Sequence, residues 1–256
     1  MEDVYTVLMT RGILIAGNES PAAAAIAAEA RKRVQFAATA FIPNRFGGAA
    51  AYDARRAEAR AAAAPRADAE AAAEAAGGKP EAAGGDLAWN PAGPISSRAL
   101  VVAAENRLGK IDEAVLVCTP PVLRRRADEL APAEIDAIVD DLVKGWFFLV
   151  RELALSFRAR KAGTLALVLS EAENGNRKED GVDLVGASIA ASFRSFAQGL
   201  LAASFAEPYR VLAFSSAEAG EDAAFAAFVF KVLDEGAKKD AGKWHKYGRG
   251  GLFGLR

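Results

Sequence analysis

Few side chains in this sequence could move a proton, hold a metal or act as a nucleophile. The chain has one Cys, Cys118, and one His, His245. A lone thiol excludes a disulfide framework, and one imidazole beside one thiol excludes a zinc cluster of the Cys/His type. A carboxylate-only metal site stays open on these grounds, although no metal is expected. Acid–base groups gather in two places. Glu171 and Glu173 follow the apolar run Thr164–Ser170, and His245, Lys246 and Tyr247 stand together near the end. The carboxyl end of a strand is where open α/β sheets bind ligands, so the two glutamates are candidate acids. Against that stands a solvated loop, since residues 174–180 (NGNRKED) are polar throughout. For His245 the competing role is surface or packing.

Charge and length narrow the class. With 32 Lys+Arg against 33 Asp+Glu and a net charge of −1, there is no surplus of cations for phosphate contacts. A nucleic-acid partner is therefore not expected. At 256 residues and 52% apolar, the chain can bury a sizeable core as one large domain or two small ones. Its first residues, Met1-Glu2-Asp3-Val4-Tyr5, are acidic where a signal peptide would be basic, and Ile13–Ala16 is too short to span a bilayer. The expectation is a cytoplasmic protein with no membrane segment.

Short apolar runs alternate with longer helix-like stretches. Gly12–Gly17 (GILIAG) reads as a strand bounded by glycines, and Pro21–Arg33 as a helix with Ser20 as N-cap and Pro21 in first position. Val34–Phe41 follows as a second strand, which makes a βαβ unit with a parallel crossover. Residues 47–85 are of low complexity. Ala49–Ala76 has almost no large apolar residue to bury, so it reads as surface helix or excursion, with a partner-binding helix as the alternative. Pro94–Leu108 reads as a helix stopped by Gly109, and Val115–Cys118 as a strand ending at Thr119-Pro120-Pro121. A long amphipathic helix spans about Pro132–Arg160, with Ile135, Ile138, Leu142, Trp146, Leu149 and Leu153 on one face. Thr164–Ser170 is the next strand, Asp183–Phe205 another long helix, Arg210–Ser215 a further strand and Asp222–Leu233 a helix. Strands separated by helices in this way indicate one doubly wound α/β domain over 1–256, Rossmann-like with a parallel sheet covered on both faces. The Ala-rich segment at about 45–85 is an insertion in it.

Several segments in this order carry a family resemblance. Leu108–Val117 (LGKIDEAVLV) is similar to "G-x-[IL]-D-x-L-V", Asp140–Gly145 (DDLVKG) to "D-x-N-L-x-G", and Gly163–Ser170 (GTLALVLS) to "G-x-I-V-x-x-S-S". Gly186-Ala187-Ser188 matches the "S-A-S" of "Y-S-A-S-K", and Gly17 opens a turn that resembles "T-G-x-x-x-G-x-G". On these motifs the chain resembles the short-chain dehydrogenase/reductase superfamily over nearly its whole length outside 45–85. The resemblance implies a Rossmann fold, an NAD or NADP site at Gly17, Asn18, Ser20, Cys118 and Thr119, and a catalytic role for the position held by Ser170. It also implies a homodimer or homotetramer through the helices at 132–160 and 183–205. The second of these is rich in small residues (Gly186, Ala187, Ser188, Ala190, Ala191, Ser192), with Phe193, Phe196 and Leu200 to bury.

The departures bear on function. Leu142, Val185 and Ile189 occupy the positions where the family carries Asn, Tyr and Lys. In the family the Tyr donates a proton to the alkoxide left by hydride transfer, with its pKa lowered by the Lys. Of that set only Ser170 is kept, and it is vestigial. The phosphate turn keeps Gly17 but has Pro21 and Ala23 for the later glycines, and Glu19 would repel a pyrophosphate. Where a ribose-binding Asp or a phosphate-binding Arg is usual, the chain reads Thr39-Ala40-Phe41, with Arg45 beyond. The leading expectation is a degenerate, structural, regulatory or ligand-sensing homo-oligomer. An NAD(P)-dependent oxidoreductase that uses Ser170 with an unrecognised acid is the rival. An assembly module using 49–76 is a third, and the tail 243–256 is expected to dock on a neighbouring subunit or over the pocket.

Overall fold

A computed structural model describes residues 9–43, 86–123, 126–171, 183–235 and 242–248. In chain order the elements are β1 (Met9–Asn18), α1 (Pro21–Arg33), β2 (Val34–Ile42), α2 (Pro94–Leu108), β3 (Glu113–Cys118), α3 (Pro132–Val139), a π-turn (Asp140–Lys144), α4 (Gly145–Arg160), β4 (Thr164–Ser170), α5 (Leu184–Ala203), β5 (Arg210–Ser216), α6 (Asp222–Glu235) and β6 (Trp244–Tyr247). The six strands form one sheet in the order β2-β1-β3-β4-β5-β6, every pairing parallel. The chain winds outward from β1 to β2, then returns to the other side of β1 to lay down β3. That reversal opens a crevice beyond the strands' carboxyl ends, which is where an α/β sheet can hold a ligand.

Strand alternation sends successive side chains to two different layers. Leu14, Leu116, Leu165, Leu167 and Leu169 pack with Leu149, Phe157, Phe193 and Ala197 under α2, α4 and α5. Ile15, Val117, Ala166, Val168 and Phe214 pack with Ile26, Phe225 and Phe230 under α1 and α6. In the first layer Trp146 is fully buried and sits between Trp89 and Phe193, with ring centroids 5.8 and 5.3 Å away. Removing one such ring typically costs about 3–5 kcal/mol.

Local chemistry sets the ends of the elements that matter for the site. Ser20 caps α1 by accepting from the Ala23 amide at 3.1 Å, with Pro21 in the first turn where its missing N–H costs nothing. Asp183 caps α5 in the same way through the Gly186 amide at 2.9 Å. Gly17 is required by the sheet itself: a Cβ there would lie 2.2 Å from the Val117 carbonyl oxygen of β3.

Three expectations change. Arg210–Ser216 is the fifth strand of the sheet, and the sixth is Trp244–Tyr247, within what reads in sequence as a docking tail. These four residues pair with Ala213–Ser216, and the Trp244 indole donates to Ser215 Oγ at 2.8 Å. A short edge strand that carries Lys246 shows too little alternation to be read from sequence. The helix over 132–160 is also interrupted, since the π-turn adds a residue between α3 and α4. Ile135, placed on the apolar stripe, is 44% exposed, whereas Ile138, Leu142, Trp146, Leu149 and Leu153 are buried. The Ala-rich segment at about 45–85, Glu173 and residues 249–256 lie outside the described residues. The segment Leu184–Ala206 is long and apolar enough to cross a bilayer by length and composition; here its Phe193 and Ala197 are buried against the sheet.

Candidate functional site

A cleft of about 570 Å³ opens at the carboxyl ends of β1, β3, β4 and β5. Its walls are Pro21 and Ala22 at the start of α1, Thr119 and Val122 beyond β3, Ser170 at the end of β4, and Asp222 at the start of α6. The volume is within the range of small-molecule sites.

Four of the residues implied as cofactor ligands come together at the rim. The Asn18 side chain donates to the Thr119 carbonyl at 2.7 Å and accepts from the Thr119 amide at 3.0 Å. The Thr119 hydroxyl donates to Ser20 Oγ at 2.9 Å, and Ser20 Oγ also accepts from Ala23 N. This network knits the β1 turn to the end of β3. Gly17 stands beneath it and serves the close approach of β1 and β3. Cys118 departs from the expectation, because it is fully buried in the layer under α2, α4 and α5 and does not line the cleft. Burial, with the Glu171 charge adding to it, pushes its thiol far above the ordinary value.

Ser170 is in the cleft. It is 2% exposed, and its hydroxyl has no hydrogen-bond partner among the described residues. Strand alternation places it with Ala166 and Val168, on the α1/α6 face of the sheet. Leu142 and Ile189 belong to the opposite apolar layer, and Val185 packs against that layer. Ser170 and positions 142, 185 and 189 are thus on different faces, and none of the three lines the cleft.

Glu171 turns to the other side from Ser170. Its carboxylate pairs with the Arg194 guanidinium of α5 at 2.6 Å, with the Glu side chain 21% exposed, so it is an anchored group and not a freely solvated one. The tail candidates are anchored as well. His245 stacks on Phe214 with centroids 5.2 Å apart. The Tyr247 hydroxyl donates to Glu221 at 2.7 Å, and that bond, then burial, raises its pKa.

Three acidic residues not singled out from sequence complete the picture. Asp183 Oδ1 accepts from the Gly186 amide and from the Leu123 amide at 3.3 Å, fastening the segment after β3 to α5. A Cβ on Gly186 would meet the Pro121 carbonyl oxygen at 2.4 Å, so that glycine permits the close approach. Asp141 is 2% exposed on the π-turn, a feature common at functional sites. Asp222 faces the cleft; its position at a helix start just after Gly220 was the available signal. Among the described residues no three His, Cys, Asp or Glu side chains cluster as a metal site would require.

A dinucleotide needs its pyrophosphate cradled at the start of α1. Pro21 has no amide to offer, the Ala23 amide is already bonded to Ser20, and the Ala24 amide bonds to the Ser20 carbonyl at 3.0 Å. The Asp222 carboxylate faces the same space and Glu19 is exposed on the turn. These groups do not fit a pyrophosphate.

No family model and no curated protein matches the chain by sequence. Solved structures do match by fold. Levodione reductase aligns with a TM-score of 0.65 at 16% identity, covering 95% of this chain and 98% of that one. NADH-dependent reductase A1-R' complexed with NAD gives 0.62 at 16%, with 93% and 95% covered. A short-chain dehydrogenase from Burkholderia cenocepacia J2315 in complex with NADP gives 0.58 at 16%, with 93% and 96% covered. The chain shares the fold of these structures, Rossmann-like with helices on both faces of a parallel sheet.

Proposed function

We propose that this protein is a structural, regulatory or ligand-sensing homo-oligomer on the short-chain dehydrogenase/reductase fold, without the standard oxidoreductase chemistry. One observation carries the reading: the described residues that line the cleft beside Ser170 include no Tyr, Lys or His to hand over a proton. Reduction of a carbonyl leaves an alkoxide that needs a proton, and a serine hydroxyl is a poor acid at neutral pH. Loss of a positioned general acid costs about 10²–10⁴ in rate.

The partner in this reading is a second copy of the chain, as a homodimer or homotetramer through α3–α4 and α5. Phe147 of α4 is 56% exposed and lies 4.6 Å, centroid to centroid, from Phe196 of α5. Together with Leu200 and Gly199 they line a groove of about 510 Å³. Exposed aromatic surface of this kind marks interaction faces. The protein works in the cytoplasm, with neither nucleic acid nor membrane as partner.

A second reading is an NAD(P)-dependent oxidoreductase that uses Ser170 with another acid. It is favoured by the Glu171–Arg194 couple one residue from Ser170 and by the NAD and NADP held in two of the similar structures. The deciding experiment follows reduced cofactor over a panel of carbonyl compounds, with the natural chain and with Ser170→Ala. No consumption above buffer is expected from either. Turnover by the natural chain that disappears in Ser170→Ala establishes the second reading instead.

A further inference from the structure

The cleft's electrostatics carry an inference beyond the absence of standard chemistry, although it concerns the same site and rests on the ligand-sensing reading of it. Two helices, α1 and α6, begin at the cleft, and their amino ends would ordinarily attract an anion. The α1 end is already capped from within the chain, and the α6 end carries a carboxylate of its own. At α1 the cap is Ser20, with Pro21 in the first turn. At α6 the acidic residue of the first turn is Asp222. The Asp222 carboxylate has no hydrogen bond or ion pair among the described residues, so its charge is not cancelled by a local partner. The cleft's depth nonetheless holds a group waiting for a ligand: the Ser170 hydroxyl, 2% exposed and unpartnered.

We propose that Asp222 sets the specificity of the cleft, excluding phosphate-bearing nucleotides and leaving Ser170 to an uncharged ligand that bonds through hydroxyl or amide groups. The site is about 570 Å³, so a phosphate at the start of α1 would share one small space with this carboxylate. At such separations two like charges repel measurably even with a high effective dielectric constant, and salt weakens the repulsion. Thr119 stands at the same wall, and its oxygen keeps acceptor capacity after donating to Ser20.

The test is a binding measurement, kept apart from turnover. NAD, NADP and inorganic phosphate are titrated calorimetrically into the natural chain, Asp222→Asn and Asp222→Glu. Thermal shift with ribose, glucose and nicotinamide probes the uncharged class, with Ser170→Ala as control. Asp222→Asn is expected to bind the dinucleotides about fivefold or more tightly than the natural chain, and Asp222→Glu no more tightly. Any dinucleotide binding by the natural chain should strengthen as salt rises, the opposite of attraction-driven binding. At least one uncharged probe should raise the melting temperature, and Ser170→Ala should lose that rise. Tight NAD or NADP binding that weakens with salt, or no gain in Asp222→Asn, overturns the proposed role of Asp222. Silence from all three uncharged probes, or a rise that survives Ser170→Ala, overturns the ligand class. Tight NAD binding that weakens with salt, without turnover, would sink this inference and leave the non-catalytic reading standing, whereas such binding with turnover would sink both.

Discussion

Single residues here show how one side chain's role depends on the face it occupies. Ser170 and Glu171 are neighbours in sequence, yet one enters the cleft and the other pairs with Arg194 on the far side of the sheet. The resemblance in sequence places Ser170 correctly at the end of β4, but a linear motif cannot say which face a residue takes. That depends on the strand's register, through Leu165, Leu167 and Leu169 packing under α5. Gly17 was legible as a turn glycine, while its need to clear the Val117 carbonyl only appears once β1 and β3 pair. Gly17→Ala should therefore destabilise the protein by roughly 1–3 kcal/mol in urea unfolding, with no ligand present. Glu113 is 5% exposed, and burial is the chief cause that raises its carboxyl above the ordinary value of 4.5, with Arg11 and Arg210 opposing. Its folded form binds a proton more tightly than the unfolded chain does. The stability it contributes is thus complete below the ordinary value and lost as pH rises through the raised one. Unfolding curves across that window should show Glu113→Gln gaining on the natural chain as pH increases; a parallel pair of curves would contradict the assignment.

At the scale of elements, periodicity made most of the architecture readable. The run Thr164–Ser170 is wholly apolar because both faces of a central parallel strand are covered, and the structure gives that strand the same bounds. Ser20-Pro21 announced the start of α1 correctly. β6 was missed because an edge strand of four residues has one partner and little burial to impose a pattern. The π-turn was missed because a single added residue leaves the apolar stripe of α3 and α4 almost unchanged. The α4–α5 face yields its own expectation. Phe147→Glu and Phe196→Glu, on exposed or half-exposed positions, should leave the fold intact and shift the protein to monomer in light scattering. A natural chain already monomeric at micromolar concentration would remove the oligomer from the proposal.

For the whole molecule, two layers on one sheet place opposite demands on its two ends. The carboxyl end is open and holds the cleft. At the amino end, Arg11 of β1 bonds Glu113 of β3 at 3.2 Å and pairs with Asp234 of α6. Arg33 at the end of α1 pairs with the same Asp234 and with Glu29. Asp234 therefore ties β1 and α1 to α6, and Arg11 extends the cluster to Glu113 of β3. Its replacement by Ala leaves two partly buried guanidiniums short of a partner and should cost on the order of 1–3 kcal/mol by chemical denaturation. Composition showed the near balance of charge but not that some of it is gathered into one cluster, because the partners are separated by up to 223 positions.

The chain's sole sulfhydryl lies sealed beneath three helices, in a state that resists ionisation. Maleimide reagents should accordingly pass over the native protein. A cysteine introduced at Ala219, exposed at the edge of the cleft, would then be a unique attachment point, and a fluorophore placed there could report on the cleft without the natural thiol being removed.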